Sequence, residues 1–408
     1  MSTRLSQAGS RQSLVQALAA IALAAYTYTW AVSLNPVREA FSRHLSAPEE
    51  MLVKALIEVS ENRVAAAFDQ IENLLRANPN FHLAQLVKGD LLLSRTRAIE
   101  TVGAGAPAER VADFREEARA RLARYAFQPP TDLAPRNFLE LSAQDKYVFV
   151  IDTSKSTLFV FENDQAALRY VADFYVTVGK NGPYKLKEGD KRTPLGVYHV
   201  TGKLPKEKLS DFYGAGAFPL NYPNEWDRML GRNGSGIWLH GTPFDTYSRP
   251  PRASDGCVVL ANEDLQSLEK YVQLGRTPVV ITERIEWAPI DEIAAARADL
   301  SRQIEQWRSD WESRETEVYL RHYSKHFSAD GVAFAHWAAQ KRRVNSAKSW
   351  IKVGISDVSL VLYPGERSLA VATFDQDYAS SNLSNRMTKR QYWVREDGRW
   401  KIVFEGGA

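Results

Sequence analysis

The chain has 408 residues, of which 44% are hydrophobic and 25% are charged, and its formal net charge is +3. This length exceeds that of one ordinary domain, so the sequence predicts roughly two to four domains. The nearly balanced charge gives no reason to expect a nucleic-acid partner, and the single cysteine, Cys257, excludes an internal disulfide framework.

The N-terminal stretch decides the predicted compartment. Residues 14–34 contain no charged side chain and follow a short basic segment, residues 1–13. As a helix this stretch is about 30 Å long, enough to cross a bilayer. The charge pattern predicts that residues 1–13 stay in the cytoplasm and that the rest lies in the periplasm, anchored to the inner membrane. Ala20, Ala22 and Ala24 alternatively fit a signal-peptidase site, in which case the segment is cleaved after export.

Residues 46–128 carry apolar side chains at helical spacing and predict a helical module. Two runs, 52–59 and 64–75, precede an Asn-Pro turn, and a third run, 83–93, follows it. Short helices joined by such turns are similar to tetratricopeptide (TPR) repeats, but little more than one repeat unit is present. A membrane-proximal stalk or homodimerisation module is therefore favoured over a peptide-binding repeat. Several prolines then predict a linker over residues 129–144.

From Lys146 the apolar pattern changes to a period of two, which indicates β-strands. Short apolar runs separated by Gly and Pro turns predict a compact, mostly-β domain over residues 145–285. The runs are 147–151, 157–161, 170–178, 196–201, 237–239 and 277–282. Residues 203–236 read as a long loop insert and 180–192 as a solvated hairpin tip. Asn262 is expected to cap a short helix that Gly275 ends.

The stretch 237–260 carries the candidate chemistry. His240 and Cys257 lie at the two ends of a loop rich in Pro, Ser and Arg, with a short strand-like run on each side. Because paired strands bring the ends of such a loop together, we expect the imidazole to approach the thiol. A cysteine nucleophile needs such a base, since a thiol with a pKa of about 8.5 is scarcely ionised at neutral pH. The alternative for Cys257 is a small buried hydrophobic residue.

Two short motifs in this stretch resemble those of a known family. They are His240-Gly241 and Ser254-Asp255-Gly256-Cys257, with Asn262 downstream. They are similar to the motifs of the L,D-transpeptidase catalytic domain (YkuD or ErfK) family, which remodels bacterial peptidoglycan. The resemblance implies that Cys257 is the nucleophile, His240 the base and the Gly241 carbonyl the group that orients the imidazole. The backbone amides of Gly256 and Cys257 are the expected oxyanion hole. Asp255 departs from the family pattern, which usually has His there.

The neighbouring residues have several open roles. Asp255 either binds a substrate amine, pairs with Arg249 or Arg252, or caps the turn before the following glycine. The two arginines either clamp the terminal carboxylate of a stem peptide or belong to a solvated loop. Tyr213 is expected in a lid over the cysteine, and Ser254 is expected to support the motif loop.

Residues 288–408 predict a second domain that combines helix and sheet. A helical pattern over 290–314 continues over 316–327, and four strand-like runs follow. These runs are 351–362, 368–378, 386–394 and 400–404. The order of elements is similar to that of the NTF2-like or SnoaL-like cone, whose pocket suits either an enzyme or a binding module. His322 and His326 lack the acidic residue of a metalloprotease motif, so we expect neither a metal nor another cofactor.

The sequence therefore predicts a multidomain α+β protein: an N-terminal helical module, a mostly-β L,D-transpeptidase-like catalytic domain and a C-terminal α+β NTF2-like cone. The resemblance implies a cysteine acyltransferase that forms an acyl-enzyme with peptidoglycan stem tetrapeptides and passes it to an amine. The three-part organisation is also similar to that of L,D-carboxypeptidases, which trim tetrapeptide to tripeptide stems. A third hypothesis is a catalytically silent wall-binding scaffold, disabled by Asp255.

Overall fold

The computed structural model of the chain describes residues 46–408, apart from positions 62, 98, 100, 165, 166, 330 and 367. The predicted cytoplasmic segment 1–13 and the anchor or signal segment 14–34 lie outside the described residues. Within the described part, every helix is too short or too polar to cross a bilayer.

Four helices form the N-terminal module. They are α1 (Ala47–Ser60), α2 (Val64–Ala77), α3 (His82–Leu93) and α4 (Ala108–Ala126). Their apolar faces share one core, in which Leu52, Ile71 and Phe81 are fully buried. The Asp90 carboxylate accepts the backbone N–H groups of Gly103 at 2.6 Å and Ala104 at 3.2 Å, which fixes the loop between α3 and α4.

The β-rich domain follows. Its strands are β3 (Tyr147–Asp152), β4 (Thr157–Asn163), β5 (Leu168–Tyr175), β6 (Val178–Gly179), β7 (Gly196–His199), β8 (Leu204–Pro205), β9 (Gly216–Pro219), β10 (Trp238–His240), β11 (Arg252–Ser254), β12 (Val258–Val259) and β13 (Pro278–Thr282). One sheet has the order β5-β4-β3-β13-β7 and a second the order β12-β10-β9-β8, while β11 pairs with β6. Both larger sheets contribute to one core, which includes Phe149, Leu158, Phe218 and Leu239.

The insert 203–236 is more ordered than the sequence predicted. It contains β8, two short 3-10 turns (Lys206–Lys208 and Asp211–Tyr213), β9 and helix α5 (Glu225–Met229). Strand β9 pairs antiparallel with β10, the strand that ends at His240. The loop prediction was therefore wrong, because the short strands in this insert carry little apolar pattern of their own and depend on their partner strands.

Helix α6 (Asn262–Glu269) begins one residue earlier than predicted, with Ala261 at the N-cap position. The Asn262 side chain does not cap it. Instead, its Oδ1 accepts the backbone N–H of Ala215 at 2.8 Å and its Nδ2 donates to the Thr242 carbonyl at 2.9 Å. Gly275 does not end the helix either, since it lies in a later turn with a φ of +75°. Asn262 thus serves tertiary contacts rather than the helix terminus.

The C-terminal domain packs helices against a curved sheet. Its helices are α7 (Ile290–Glu312), α8 (Thr316–Leu320) and α9 (Phe334–Ser346). Its strands are β15 (Ser328–Ala329), β16 (Val332–Ala333), β17 (Ile351–Leu362), β18 (Leu369–Ser380), β19 (Leu383–Glu396) and β20 (Arg399–Gly407). The helical pattern predicted over 316–327 was too long, and α9 was not predicted.

One histidine of this domain is engaged by a carboxylate. His322 pairs through Nε2 with Asp310 Oδ2 at 2.7 Å. Among the residues that the structure describes, no group of three or more His, Cys, Asp or Glu side chains is placed to bind a metal ion.

The segment predicted as a linker, 129–144, supplies two strands. Strand β1 (Leu133–Pro135) pairs with β14 (Trp287–Pro289), and β2 (Phe138–Glu140) pairs with β17 at the edge of the C-terminal sheet. The prolines suggested a linker because proline is rare inside sheets, but it is tolerated in short edge strands. Through its backbone, the segment therefore pairs both with the strand just before α7 and with the C-terminal sheet.

Candidate active site

The pairing of β10 with β12 places the two predicted catalytic side chains. These strands are parallel, with Leu239 opposite Val258 and His240 opposite Val259. Leu239 and Val258 point into the core. Because side chains alternate along a strand, His240 projects from the other face of the strand pair, and Cys257, the residue just before β12, is expected on that same face. The fold therefore brings the imidazole and the thiol to neighbouring positions, with Cys257 one residue before the paired register.

The His240 imidazole is held in one orientation. Its Nδ1 lies 2.7 Å from the carbonyl oxygen of Gly241, and the residue is 1% exposed. Nδ1–H donating to that carbonyl leaves Nε2 as the proton acceptor. Burial, together with the Arg249 charge, lowers the pKa of His240 to about 4, although the hydrogen bond to Gly241 opposes the shift. The imidazole is therefore neutral at pH 7 and available as a base.

The space around position 241 leaves room only for glycine. A Cβ atom there would overlap the Asn262 side chain and would lie 2.9 Å from the Ala215 nitrogen and 3.1 Å from the Tyr213 oxygen. Asn262 holds this arrangement through its bonds to Ala215 and Thr242. Asn262 thus links Thr242, which follows the His-Gly motif, to Ala215 of the insert 203–236.

The Cys257 thiol is partly buried and protonated at rest. Its Sγ donates to the carbonyl oxygen of Gly236 at 3.1 Å rather than to the imidazole. Burial raises the pKa of Cys257, as does the Asp255 charge, whereas the Trp238 backbone N–H and the Lys185 charge lower it. The site therefore holds a neutral thiol beside a neutral imidazole, and forming the thiolate requires a proton transfer.

Short hydrogen bonds shape the loop before the thiol. The Ser254 hydroxyl accepts the Gly256 N–H at 3.1 Å and donates to the Cys257 carbonyl at 2.6 Å. The Thr193 hydroxyl donates to the Gly256 carbonyl at 3.0 Å and accepts the Gly179 N–H at 2.9 Å. The sequence predicted that the Gly256 and Cys257 amides form the oxyanion hole. Because the Gly256 N–H donates to Ser254, only the Cys257 N–H remains a candidate oxyanion donor.

Asp255 pairs with a residue that the sequence did not suggest. Its Oδ1 lies 3.2 Å from Nζ of Lys180, in the turn after β6, and its charge also acts on Arg249, one of the two arginines named as possible partners. Most of the charged cluster 180–192 is exposed, as predicted, but one of its lysines is not. The Lys185 ammonium is buried, donates to Asp190 at 2.8 Å and, by its charge, favours the thiolate of Cys257.

Arg249 and Tyr213 border the site, whereas Arg252 does not contact it. The Arg249 guanidinium lies 4.8 Å from the centroid of the Phe212 ring, and its charge affects the pKa of both the imidazole and the thiol. The Tyr213 ring lies 5.1 Å from that of His240. Arg252 is exposed on β11. The structure thus brings together the thiol, the imidazole, one arginine and two aromatic rings.

Several residues at the site were not predicted. They are Thr193, Lys180, Lys185, Phe212 and Trp238. Trp238 was the easiest to find, because it precedes His240 by two residues and must share its face of the strand. The others come from distant segments, and nothing in the linear sequence joins them to the cysteine.

The fold and the site define an L,D-transpeptidase-type catalytic domain joined to an NTF2-like domain. Residues 146–281 match the YkuD family, the L,D-transpeptidase catalytic domain, and residues 299–406 match the Cds6 C-terminal NTF2-like domain. The chain belongs to the YkuD family.

Two solved structures show the same combination over most of their length. Bd1075 of Bdellovibrio bacteriovorus is 31% identical, with a TM-score of 0.60 over 68% of this chain and 98% of that chain. The helical cell shape determining protein Pgp2 of Campylobacter jejuni is 29% identical, with a TM-score of 0.56 over 66% of this chain and 94% of that chain. No curated protein matches the chain in sequence.

Proposed function

We propose that this protein is a periplasmic cysteine acyltransferase that remodels peptidoglycan and acts on stem tetrapeptides. The observation that carries the proposal is the placement of His240 and Cys257 on one face of the β10–β12 pair, with the imidazole oriented by Gly241. Membership of the YkuD family supports the substrate class. Residues 14–34 would hold the protein at the inner membrane or direct its export.

The proposed reaction begins with proton transfer. Nε2 of His240 takes the thiol proton of Cys257, and the sulfur attacks the carbonyl carbon of the L-centred residue, which is diaminopimelate in the proposed stem. The resulting oxyanion accepts a hydrogen bond from the Cys257 backbone N–H. Collapse of this intermediate breaks the peptide bond, and the imidazolium returns its proton to the departing amine of the terminal D-amino acid. A thioester joins the stem to Cys257.

The second half of the reaction regenerates the thiol. An acceptor amine attacks the thioester carbon and loses a proton to Nε2 of His240, and the sulfur leaves as the bond to nitrogen forms. The imidazolium then protonates the sulfur of Cys257. The product is a new amide between two stems, which is an L,D-transpeptidation.

Hydrolysis is the second candidate. Water would replace the amine at the thioester, and the product would be a tripeptide stem, as for an L,D-carboxypeptidase. The domain combination favours this candidate, because it resembles that of carboxypeptidases that trim stems. By analogy with Pgp2, whose name describes a determinant of helical cell shape, trimming or crosslinking would affect cell shape.

Mass spectrometry of muropeptides incubated with the protein separates the two reactions. New dimers indicate transfer to an amine, and tripeptides without dimers indicate trimming. The Cys257→Ala variant, which lacks the nucleophile, should give neither product. A carbapenem, which acylates active-site cysteines, should add one covalent mass to the wild type only. The scaffold hypothesis gains if the wild type forms no adduct and Cys257→Ala retains full cellular function.

A further inference from the structure

The loop between the base and the nucleophile rests on the helical module. The Tyr247 ring packs on Phe81, with 4.3 Å between centroids, and its backbone N–H donates to the Asn80 carbonyl at 3.2 Å. The Ser248 hydroxyl donates to the Glu117 carboxylate at 2.7 Å. Asn80 and Phe81 lie between α2 and α3, and Glu117 lies on α4. Two separate parts of the module therefore contact two successive loop residues.

Buried ion pairs fix the module that carries these contacts. The Arg121 guanidinium, 1% exposed, donates to Glu117 at 2.7 Å and also pairs with Glu49 of α1. One turn further along α4, Arg124 pairs with Asp173 of β5 in the catalytic domain. Breaking a buried pair leaves an uncompensated charge, so these pairs fix the position of α4 against the catalytic domain.

The same network reaches Arg249. The Arg121 guanidinium lies 3.9 Å from the centroid of the Tyr175 ring. The Tyr175 hydroxyl donates to the Arg249 carbonyl at 3.0 Å, and the Thr177 hydroxyl donates to the same oxygen at 2.9 Å. The backbone of Arg249 is thus held next to Ser248, which is bound to α4, while its guanidinium lies near the imidazole and thiol.

A second route leads to the histidine end of the loop. The Thr242 hydroxyl donates to the Tyr247 carbonyl at 3.1 Å, and the Thr242 carbonyl accepts from Asn262. Thr242 follows Gly241, which orients the imidazole. Arg249 and the histidine end of the loop are therefore both connected to residues that contact the helical module.

We propose that the helical module is a positioning element of the active site, acting on Arg249 and His240 through Tyr247 and Ser248. These two loop residues are positioning residues, since they reach the reacting groups only through others. Only the choice of substrate for testing this inference rests on the proposed function. It gives the module a role in each turnover, beyond that of the stalk or dimerisation module predicted from the sequence.

Substitutions at Tyr247 in the full-length protein test this inference. Tyr247→Ala removes the ring that packs on Phe81, whereas Tyr247→Phe keeps it. We expect Tyr247→Ala to lower kcat/KM for a tetrapeptide muropeptide roughly ten- to hundredfold, and to change the pH profile of Cys257 alkylation by iodoacetamide. Tyr247→Phe should restore both to within about twofold of the wild type. Leu92→Ala, on an exposed part of α3, is the control in the module and should change neither.

Ser248→Ala provides a second test if Tyr247→Ala does not fold. It removes the hydrogen bond to Glu117 but little volume, and Ser248→Thr should restore the effect. Unchanged kinetics and an unchanged alkylation profile in a folded Tyr247→Ala or Ser248→Ala protein would overturn the inference. If the wild type shows no turnover of muropeptides but alkylation still responds to these substitutions, the proposed function fails while the positioning role stands.

Discussion

The Nδ1 atom of His240 lies 2.7 Å from the carbonyl oxygen of Gly241, the next residue in the chain. The carbonyl is accessible because Gly241 has no side chain, and the residues around it leave no room for one. Gly241 thus orients the imidazole through its carbonyl and, because it lacks a side chain, allows the insert 203–236 to pack against it. This relationship makes Gly241 as sensitive to substitution as the histidine.

Gly241→Ala should inactivate the protein without unfolding it. The added methyl group must displace Asn262 or the backbone near Ala215, which moves the carbonyl that orients His240. We expect a loss of about 100-fold in kcat/KM and a decrease of about 1–3 kcal/mol in the free energy of unfolding. Gly202→Ala is the matched control, because nothing lies within 4 Å of the Cβ position there. Equal activity of the two variants would contradict this account of the site.

Asp255→Asn should make the thiol more reactive at neutral pH. The Asp255 charge raises the pKa of Cys257, so its removal should lower that pKa and leave Lys180 as an additional nearby positive charge. We expect iodoacetamide to alkylate the variant about two- to fivefold faster at pH 7. Asp245→Asn, an exposed residue of the same loop, is the control. A slower reaction of the Asp255→Asn thiol would show that the carboxylate acts in another way.

Thr193→Val should loosen the loop that carries the nucleophile. The variant keeps the shape of the buried side chain but removes the hydroxyl that joins Gly179 to Gly256. We expect a loss of about 1–3 kcal/mol in the free energy of unfolding, since the Gly179 N–H would be left without its partner. Thr201→Val, at an exposed position, should cost less than about 1 kcal/mol. Urea unfolding of both variants measures the difference.

Acid should destabilise the protein through two histidines. Burial lowers the pKa of both His199 and His240 to about 4. In the unfolded chain a histidine binds a proton below about pH 6.5, so unfolding takes up protons between pH 6.5 and 4. Stability should therefore lose up to about 3 kcal/mol for each histidine as the pH decreases through this range, while Glu117, whose pKa burial raises to about 7, contributes with the opposite sign. It should be nearly constant between pH 7 and 8 if these groups dominate.

His199→Asn isolates one of these contributions. In urea unfolding as a function of pH, the variant should show a smaller slope between pH 6.5 and 4 than the wild type. An unchanged slope would mean that His199 titrates normally in the folded protein, in conflict with its burial.

The sequence predicted well whatever depends on local periodicity. Strands such as β3 and β4 are short, continuous apolar runs, and the pairing of the runs around His240 and Cys257 follows from their apolar character. The two domain families, the L,D-transpeptidase catalytic domain and the NTF2-like domain, were also predicted correctly. These features depend on neighbouring residues, which a linear pattern contains.

The misses depend on contacts between distant segments. The partner of Asp255 comes from the turn after β6, and the amide of Gly256 is bound by Ser254 rather than free. Asn262 was expected at a helix terminus because of its intrinsic preference, but its two tertiary hydrogen bonds determine its position. Such pairings need the three-dimensional arrangement, since no spacing in the sequence implies them.

Strand β2 precedes the catalytic domain in the chain, yet it forms the edge of the C-terminal sheet beside β17. Leu362 N–H donates to the Asn137 carbonyl at 2.7 Å, and the Asn137 side chain returns a bond to the Leu362 carbonyl at 3.0 Å. A fragment that begins at residue 288 would therefore expose an unpaired backbone edge, which favours aggregation. The catalytic domain is in effect inserted between the first strand of that sheet and the others, so excising either domain cleanly requires a replacement for β2.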